Sequence, residues 1–581
     1  MNIKKRIRPF YQLIPDLLLF QFVSFTILTP ITGATYALCN ALLRTSGTVA
    51  VTSGNLGFLF THWQGYAIIA LLVLLILVHV AIELNALVLY CDKLLSGKKA
   101  SILSSLKNGF IALKKYRSLH GFLLIVYAVF LSPLLGFGLS ISLTSSLSIP
   151  NFIMSVIVAN PLLLTLLIVA TIALAVRIII NCFIVHGALL NDTTLKKASL
   201  ASQKLIKKNL RHFIKEMLIF AVLALLAVAL PIVLFSVAPL IITQLIPMSE
   251  PVMLFSELFF ASILFIVVAF SFLMSLSFLA IKLSTLYKKY QNKGEWNYVP
   301  RAKRKHPVII ALMIILIAIC AIFSFYGATN FNELFRTKVK TELIGHRAGG
   351  AEAPENTVRG IEVAYELGAT GCEIDIQRTK DGHYVVNHDS DFSRVAGVDK
   401  TPAEMTLDEI KQLRVDGEPI PTLEETLEAS RDKVTLYVEL KGDTADEQMA
   451  DDAVRIIKEY NMQNQAVLIS LKYDLMEYVE QKYPEMLTGY LAFISLGQIE
   501  NTSFDYLSLE EQLATKDTIA AIHDKGKKVL VWTVNEEDDI RHFLTSDADA
   551  IVTDQIKLSR DIKKQLPKRN PLEVILQATF Y

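Results

Sequence analysis

Apolar residues follow two rhythms along this chain. Before about residue 327 they form long unbroken runs, and after it they fall into short runs separated by polar, helix-length segments. A bilayer crossing needs about twenty mostly apolar residues. Seven stretches reach that length, at 17–38, 66–90, 121–141, 161–185, 217–240, 256–280 and 307–326. The second rhythm gives eight strand-like runs: "ELIGH", "GCEIDI", "TLYVEL", "AVLIS", "TGYL", "DYLSL", "VLVWTV" and "AIVTD". Their alternation with helical patterns predicts a soluble α/β TIM barrel, a closed parallel sheet wrapped by helices. The run "YVVNHD" does not fit as a ninth parallel strand. Only "KDG" separates it from the run before, so the turn predicts an antiparallel β-hairpin inserted after strand 2. The expected order is a multi-span α-helical membrane domain at 1–326 with about seven transmembrane helices, a linker at 327–341, the barrel at 342–560 and a C-terminal tail at 561–581.

Composition sharpens that division. Hydrophobic residues make up 52% of the chain and charged residues 19%, too apolar a balance for a wholly soluble enzyme. Lys and Arg gather in the N-terminal decapeptide and in every second loop between spans, whereas the alternate loops hold Arg44 alone. The positive-inside rule then predicts a multi-pass protein of the cell membrane, its N-terminus cytoplasmic and its barrel extracellular. These basic runs flank apolar spans and form no single face, so they indicate no nucleic-acid partner. The five cysteines, Cys39, Cys91, Cys182, Cys320 and Cys372, show neither paired spacing nor a metal-type CxxC.

Ionisable residues inside spans point to function. His79 and Glu83 lie four apart on the second helix, and Arg177 lies in the fourth at a similar distance from the cytoplasmic end. Two readings stand: a Glu83–Arg177 ion pair inside the bundle, or side chains that each snorkel to the interface. Pro231 and Pro239 are expected to bend the fifth helix.

In a TIM barrel, chemistry gathers at the C-terminal ends of the strands. Those ends carry His346 and Arg347, Glu373 and Asp375, then Glu439 and Lys441, and the hairpin returns His388 to the same mouth. Glu373 and Asp375, at i and i+2 on one strand, point the same way, and two adjacent carboxylates repel unless a cation sits between them. With Glu439 they form an oxygen-rich set suited to a divalent metal ion, Ca²⁺ or Mg²⁺. The competing reading is a salt-bridge network with Arg347 and Lys441. His346 and His388 can exchange protons, Arg347 and Lys441 can hold a phosphate, and Trp532 forms a wall of the mouth. Together they favour a metal-assisted phosphodiesterase. Asn356, in "PENT", is expected to cap the following helix.

In this order "GHRAGGAEAPENT", "CEIDIQRTKDGHYVVNHD", "IPTLEETL", "YVELK", "VWTVN" and "AIVTD" resemble the glycerophosphodiester phosphodiesterase family. The hydrophobic half is similar to the membrane domain that precedes the catalytic domain in some bacterial members. The resemblance implies His346 and His388 as the catalytic pair, Glu373, Asp375 and Glu439 as metal ligands, and Arg347 and Lys441 as phosphate contacts. It also implies hydrolysis of a glycerophosphodiester to sn-glycerol 3-phosphate and an alcohol. Two stretches depart from the family pattern: Ala348 follows His346-Arg347, and "FSRVAG" follows His388. The expected substrate is a glycerophosphodiester, a lysophospholipid or a glycerophosphate polymer of the wall, met at the lipid bilayer. The alternative is a lipid transporter or flippase whose barrel is a binding or sensing module, for which His79, Glu83 and Arg177 are the only pointers.

Overall fold

The computed structural model describes residues 3–125, 151–246, 248–291, 307–335 and 339–580. The described part of its N-terminal half is mainly helical and includes α1 (Ile3–Thr45), α2 (Trp63–His79), α3 (Leu87–Leu95), α4 (Asn151–Ala159), α5 (Pro161–Asn181), α6 (Leu195–Leu245), α7 (Glu250–Tyr290) and α8 (Pro307–Thr329). By length and composition five segments can cross a membrane, Leu13–Thr45, Trp63–Leu95, Pro161–Leu190, Leu195–Pro239 and Glu250–Tyr290, and a shorter apolar helix covers Met313–Thr329. The stretch expected at 121–141 falls mostly outside the described residues.

A π-helical turn, Val80–Ala86, joins α2 to α3 and buries Glu83. Arg177 lies exposed on α5, and the two make no ion pair among the described residues. The expected pair fails because α5 presents its arginine outward while Glu83 faces the packed bundle. His79 is buried and its Nδ1 lies 2.9 Å from the Leu75 carbonyl oxygen. In α6 the non-helical residue is Asn209, whereas Pro231 and Pro239 lie in helical backbone. Asn209 Nδ2 donates to the Leu205 carbonyl at 2.9 Å, occupying an acceptor that the break would otherwise strand.

The C-terminal half is a closed barrel of eight parallel strands: β2 (Glu342–Gly345), β3 (Gly371–Arg378), β5 (Thr435–Leu440), β6 (Ala466–Ser470), β7 (Leu487–Ala492), β9 (Tyr506–Glu510), β10 (Lys528–Trp532) and β11 (Ala550–Thr553). Pairing of β2 with both β11 and β3 closes it. The hairpin forms as expected: β4 (Tyr384–Val386) runs antiparallel to the end of β3, with Ile376 opposite Val386. Helices α9 (Val358–Leu367), α10 (Leu423–Ser430), α11 (Glu447–Glu459), α12 (Tyr473–Lys482), α13 (Lys516–His523), α14 (Glu537–Thr545) and α15 (Ile556–Gln565) surround the sheet. Strands buried on both sides explain the continuous apolar runs: Ala466–Ser470 is buried at all five positions.

Two contacts fasten the barrel to the helices. After α1 the chain forms β1 (Ala50–Thr52), which pairs antiparallel with β8 (Ser495–Gly497), a strand outside the closed sheet. Gly497 is required there: its φ is +123°, and a Cβ would meet the Val49 carbonyl oxygen at 2.7 Å. Beneath the pair, Thr52 Oγ1 lies 2.6 Å from the Tyr490 hydroxyl, which also accepts from the Gly54 N–H at 3.1 Å. The second contact is made by α16 (Pro571–Phe580), within the stretch expected as a tail. Its Val574 and Ile575 are buried with Leu254, Leu258 and Ala261 of α7 and with Phe331.

Tyr490→Phe removes the hydroxyl from beneath β1 at a cost of about 1–2 kcal/mol. Protease cleavage in loop 46–57 of the solubilised protein is then expected to accelerate about five- to thirtyfold. An unchanged rate would show that this hydroxyl does not hold the loop.

Candidate active site

Strand ends and the loops that follow them bring the chemistry together. His346 and Arg347 follow β2, Glu373 and Asp375 lie in β3, Glu439 ends β5 and Lys441 comes just after it. His346, Arg347, Glu373, His388, Glu439, Lys441 and Trp532 line one cavity of about 960 Å³. Asp375 lies directly behind them, fully buried.

The three expected metal ligands converge. Glu373, Asp375 and Glu439 each offer a carboxylate oxygen within 4.8 Å of the others. Lys441 Nζ donates to Asp375 Oδ1 at 2.8 Å and to Glu439 Oε2 at 3.1 Å. The Arg347 N–H donates to Glu373 Oε2 at 2.8 Å. Burial, with Asp375 and Glu439 alongside, pushes the Glu373 carboxyl well above the usual carboxylate range. Burial likewise raises Glu439 to about 7, against the pull of Lys441. Burial also opposes ionisation of Asp375, yet Lys441, His388 and the hydrogen bond from Asn356 keep it below its ordinary value. Three carboxylates against one ammonium leave two negative charges uncompensated when all are ionised. An all-oxygen set with that deficit fits a divalent cation.

Both cations expected to contact phosphate line the cavity and carry contacts to acids. Lys441 spends its contacts on the acids. The Arg347 guanidinium reaches Glu355 at 3.3 Å, and its buried Nε has no hydrogen-bond partner among the described residues. The expected salt-bridge network therefore forms through Lys441 and not through Arg347.

Each histidine is oriented by an acid. His346 Nδ1 lies 2.7 Å from Asp554 Oδ1, and His388 Nδ1 lies 2.9 Å from Asp389 Oδ1. A carboxylate at Nδ1 fixes that nitrogen as the donor and leaves Nε2 for proton exchange. Burial lowers the His388 pKa, against the pull of Asp389, which favours a neutral ring near pH 7. Asn535 Nδ2 donates to Asp554 Oδ2 at 2.7 Å. On the other side Arg394 Nε donates to Asp389 Oδ2 at 2.6 Å, and its two terminal nitrogens grip Glu355 at 2.9 and 2.6 Å. A chain of charges, His388–Asp389–Arg394–Glu355–Arg347, thus crosses the rim.

Asn356 is not the helix cap. Thr357 caps α9 by accepting from the Gly360 N–H at 3.0 Å. Asn356 is buried at a φ of +55° and donates from Nδ2 to Asp375 Oδ2 at 2.9 Å. Trp532 is the expected wall, with Nε1 donating to the Ser508 carbonyl at 2.9 Å. Sequence reasoning missed Glu355, Asp389, Arg394 and Asn535 as members of the site, and carried Asp554 only as the last residue of the run "AIVTD". The sequence adjacency of His388 and Asp389 was the one available signal.

Residues 346–558 match the glycerophosphoryl diester phosphodiesterase family, and residues 3–325, more than half of the chain, match the membrane domain of glycerophosphoryl diester phosphodiesterase. A glycerophosphodiester phosphodiesterase of Caldanaerobacter subterraneus is 31% identical over 235 residues, covering 37% of this chain and 95% of that protein. One from Bacillus altitudinis is 27% identical over 245 residues, covering 38% of this chain and all of its own length. Among solved structures, an Oleispira antarctica phosphodiesterase in complex with the product sn-glycerol-3-phosphate is 26% identical, with a TM-score of 0.36, covering 38% of this chain and 96% of its own.

With Glu439 raised to about 7 and Glu373 held well above the usual carboxylate range, a bound cation must displace protons at neutral and lower pH. Ca²⁺ affinity measured by calorimetry is expected to fall about tenfold per pH unit below 7 for each proton displaced. A pH-independent affinity would remove the three acids as the ligand set.

Proposed function

Because the chain belongs to the glycerophosphoryl diester phosphodiesterase family, in its membrane domain as well as its catalytic domain, we propose that it hydrolyses glycerophosphodiesters to sn-glycerol 3-phosphate and an alcohol. The supporting observation is the meeting of two carboxylate-held histidines with three buried acids in one cavity. Hydrolysis breaks the phosphorus–oxygen bond to the alcohol, joins the oxygen of water to phosphorus and delivers one proton to the leaving oxygen. His346 and His388 supply one proton acceptor and one donor through their Nε2 atoms. Arg347 brings a buried Nε–H that an incoming phosphate oxygen satisfies. Glu373, Asp375 and Glu439 would hold a divalent cation, Ca²⁺ or Mg²⁺, which supplies Lewis-acid stabilisation of charge on phosphoryl oxygens. Lys441 holds Asp375 and Glu439 in place from the side.

The barrel works, in this reading, on the outer face of the cell membrane. The contacts that fasten it come from the chain after α1, from the start of α7 and from Phe331, all at the end of the bundle poor in Lys and Arg. Its substrates there are soluble glycerophosphodiesters, lysophospholipids or glycerophosphate polymers of the wall.

Purified protein should release glycerol 3-phosphate from glycerophosphocholine with Ca²⁺ or Mg²⁺ and lose that activity with chelator. His346→Ala and His388→Ala are each expected to lower kcat about 10²- to 10⁴-fold, and Glu373→Ala to abolish the metal response. Metal-independent release, or full activity in either histidine variant, would overturn the assignment. For orientation, a C-terminal epitope should be digested by protease added to intact cells. Protection until lysis would place the barrel inside.

A further inference from the structure

The catalytic cavity is walled in part by the membrane domain. Met154, Val156 and Val158 of α4 line it together with the two histidines and the acids. Its volume of about 960 Å³ lies near the top of the roughly 300–1,000 Å³ range of small-molecule sites. Val156 and Val158 are 61% and 55% exposed, so no other described part of the chain covers this wall.

The described part of α4, Asn151–Ala159, has nine residues. It stops at Asn160, whose side-chain oxygen accepts from the N–H groups of Leu162 and Leu163 at 3.0 and 3.2 Å, and Pro161 opens α5. The cap and the proline start a new helix at that point, and α5 is the beginning of a span. The wall therefore sits where a span leaves the bilayer. Trp63 and Tyr66 are both exposed at the start of the span that follows β1, and such side chains settle at the membrane–water interface. The pairing of β1 with β8 holds the barrel beside them.

A water-soluble glycerophosphodiester has no apolar group to set against this wall. Polar groups pressed there would lose water without gaining a partner, whereas an acyl chain gains with each methylene that it buries. We propose that α4 is the acyl-chain wall of the catalytic cavity, and that the substrate is a monoacylated glycerophosphodiester taken from the bilayer surface. This rests on the phosphodiesterase reading above. An acyl ester on the glycerol hydroxyl farthest from phosphorus leaves the phosphodiester and its neighbouring hydroxyl unaltered, so the same bond breaks. Water gives its oxygen to phosphorus, a proton passes to the departing head-group oxygen, and monoacylglycerol 3-phosphate remains in the membrane.

The test uses the full-length protein in lipid nanodiscs with Ca²⁺, reading choline release from glycerophosphocholine and from its 1-palmitoyl derivative. The palmitoyl substrate is expected to show a kcat/KM at least about tenfold higher. Partition into the disc raises its local concentration whatever the wall does, so Val156→Asn and Val158→Asn decide the matter. Each is expected to lower the ratio of the two kcat/KM values about fivefold or more. An unchanged ratio in both variants overturns the wall and leaves the phosphodiesterase reading standing. Faster turnover of a glycerophosphate polymer than of the palmitoyl substrate does the same. If neither choline substrate is hydrolysed in the wild type, the phosphodiesterase reading itself falls, and the wall with it.

Discussion

Three carboxylates buried side by side repel one another, and the mouth of this barrel is arranged around that repulsion. Glu373, Asp375 and Glu439 lie on adjacent parallel strands in register, with Asp375 opposite Glu439, so the sheet itself forces them together. Lys441 relieves part of the charge, a backbone N–H relieves Glu373, and Asn356 relieves Asp375. The remaining deficit suits a divalent cation. Burial makes the arrangement strong in effect, because charges in a low-dielectric pocket act at several times their strength in water.

The barrel and the acids were legible because strand-end residues follow from a two-residue period and from the known location of barrel chemistry. Eight runs gave eight strands, and the "KDG" turn gave the hairpin. Residues that reach the site from loops were not legible. Nothing in "PENT" distinguishes an asparagine that caps a helix from one that turns inward at positive φ to hold Asp375, since both uses exploit the same short amide. Arg394 reaches Asp389 and Glu355 from a loop, and no periodicity of the sequence reveals that grip. The Glu83–Arg177 pair failed for another reason: spacing places a residue along a helix but does not fix which face meets the bundle.

The membrane half acquires a structural meaning from the same comparison. One helix would suffice to anchor a barrel, yet here a strand from the first loop, a C-terminal helix and residues of α4 all meet it. The barrel is thereby oriented as well as held. A hinge that allowed free rotation would place the cavity at random relative to the bilayer, whereas contacts at β8 and α16 fix two separated points.

The β1–β8 pair also imposes an order in time. Thr52 leaves the ribosome 438 residues before Tyr490, the side chain it meets, which at bacterial or slower synthesis rates is a wait of roughly 20 to 90 s. Through that interval the first loop is across or at the membrane with its strand edge unpaired. It can close only once β8 has been made, which follows five of the barrel's eight parallel strands, β2, β3, β5, β6 and β7. Docking is therefore a late event of assembly, and it joins a strand made with the first loop to one that arrives only with the barrel.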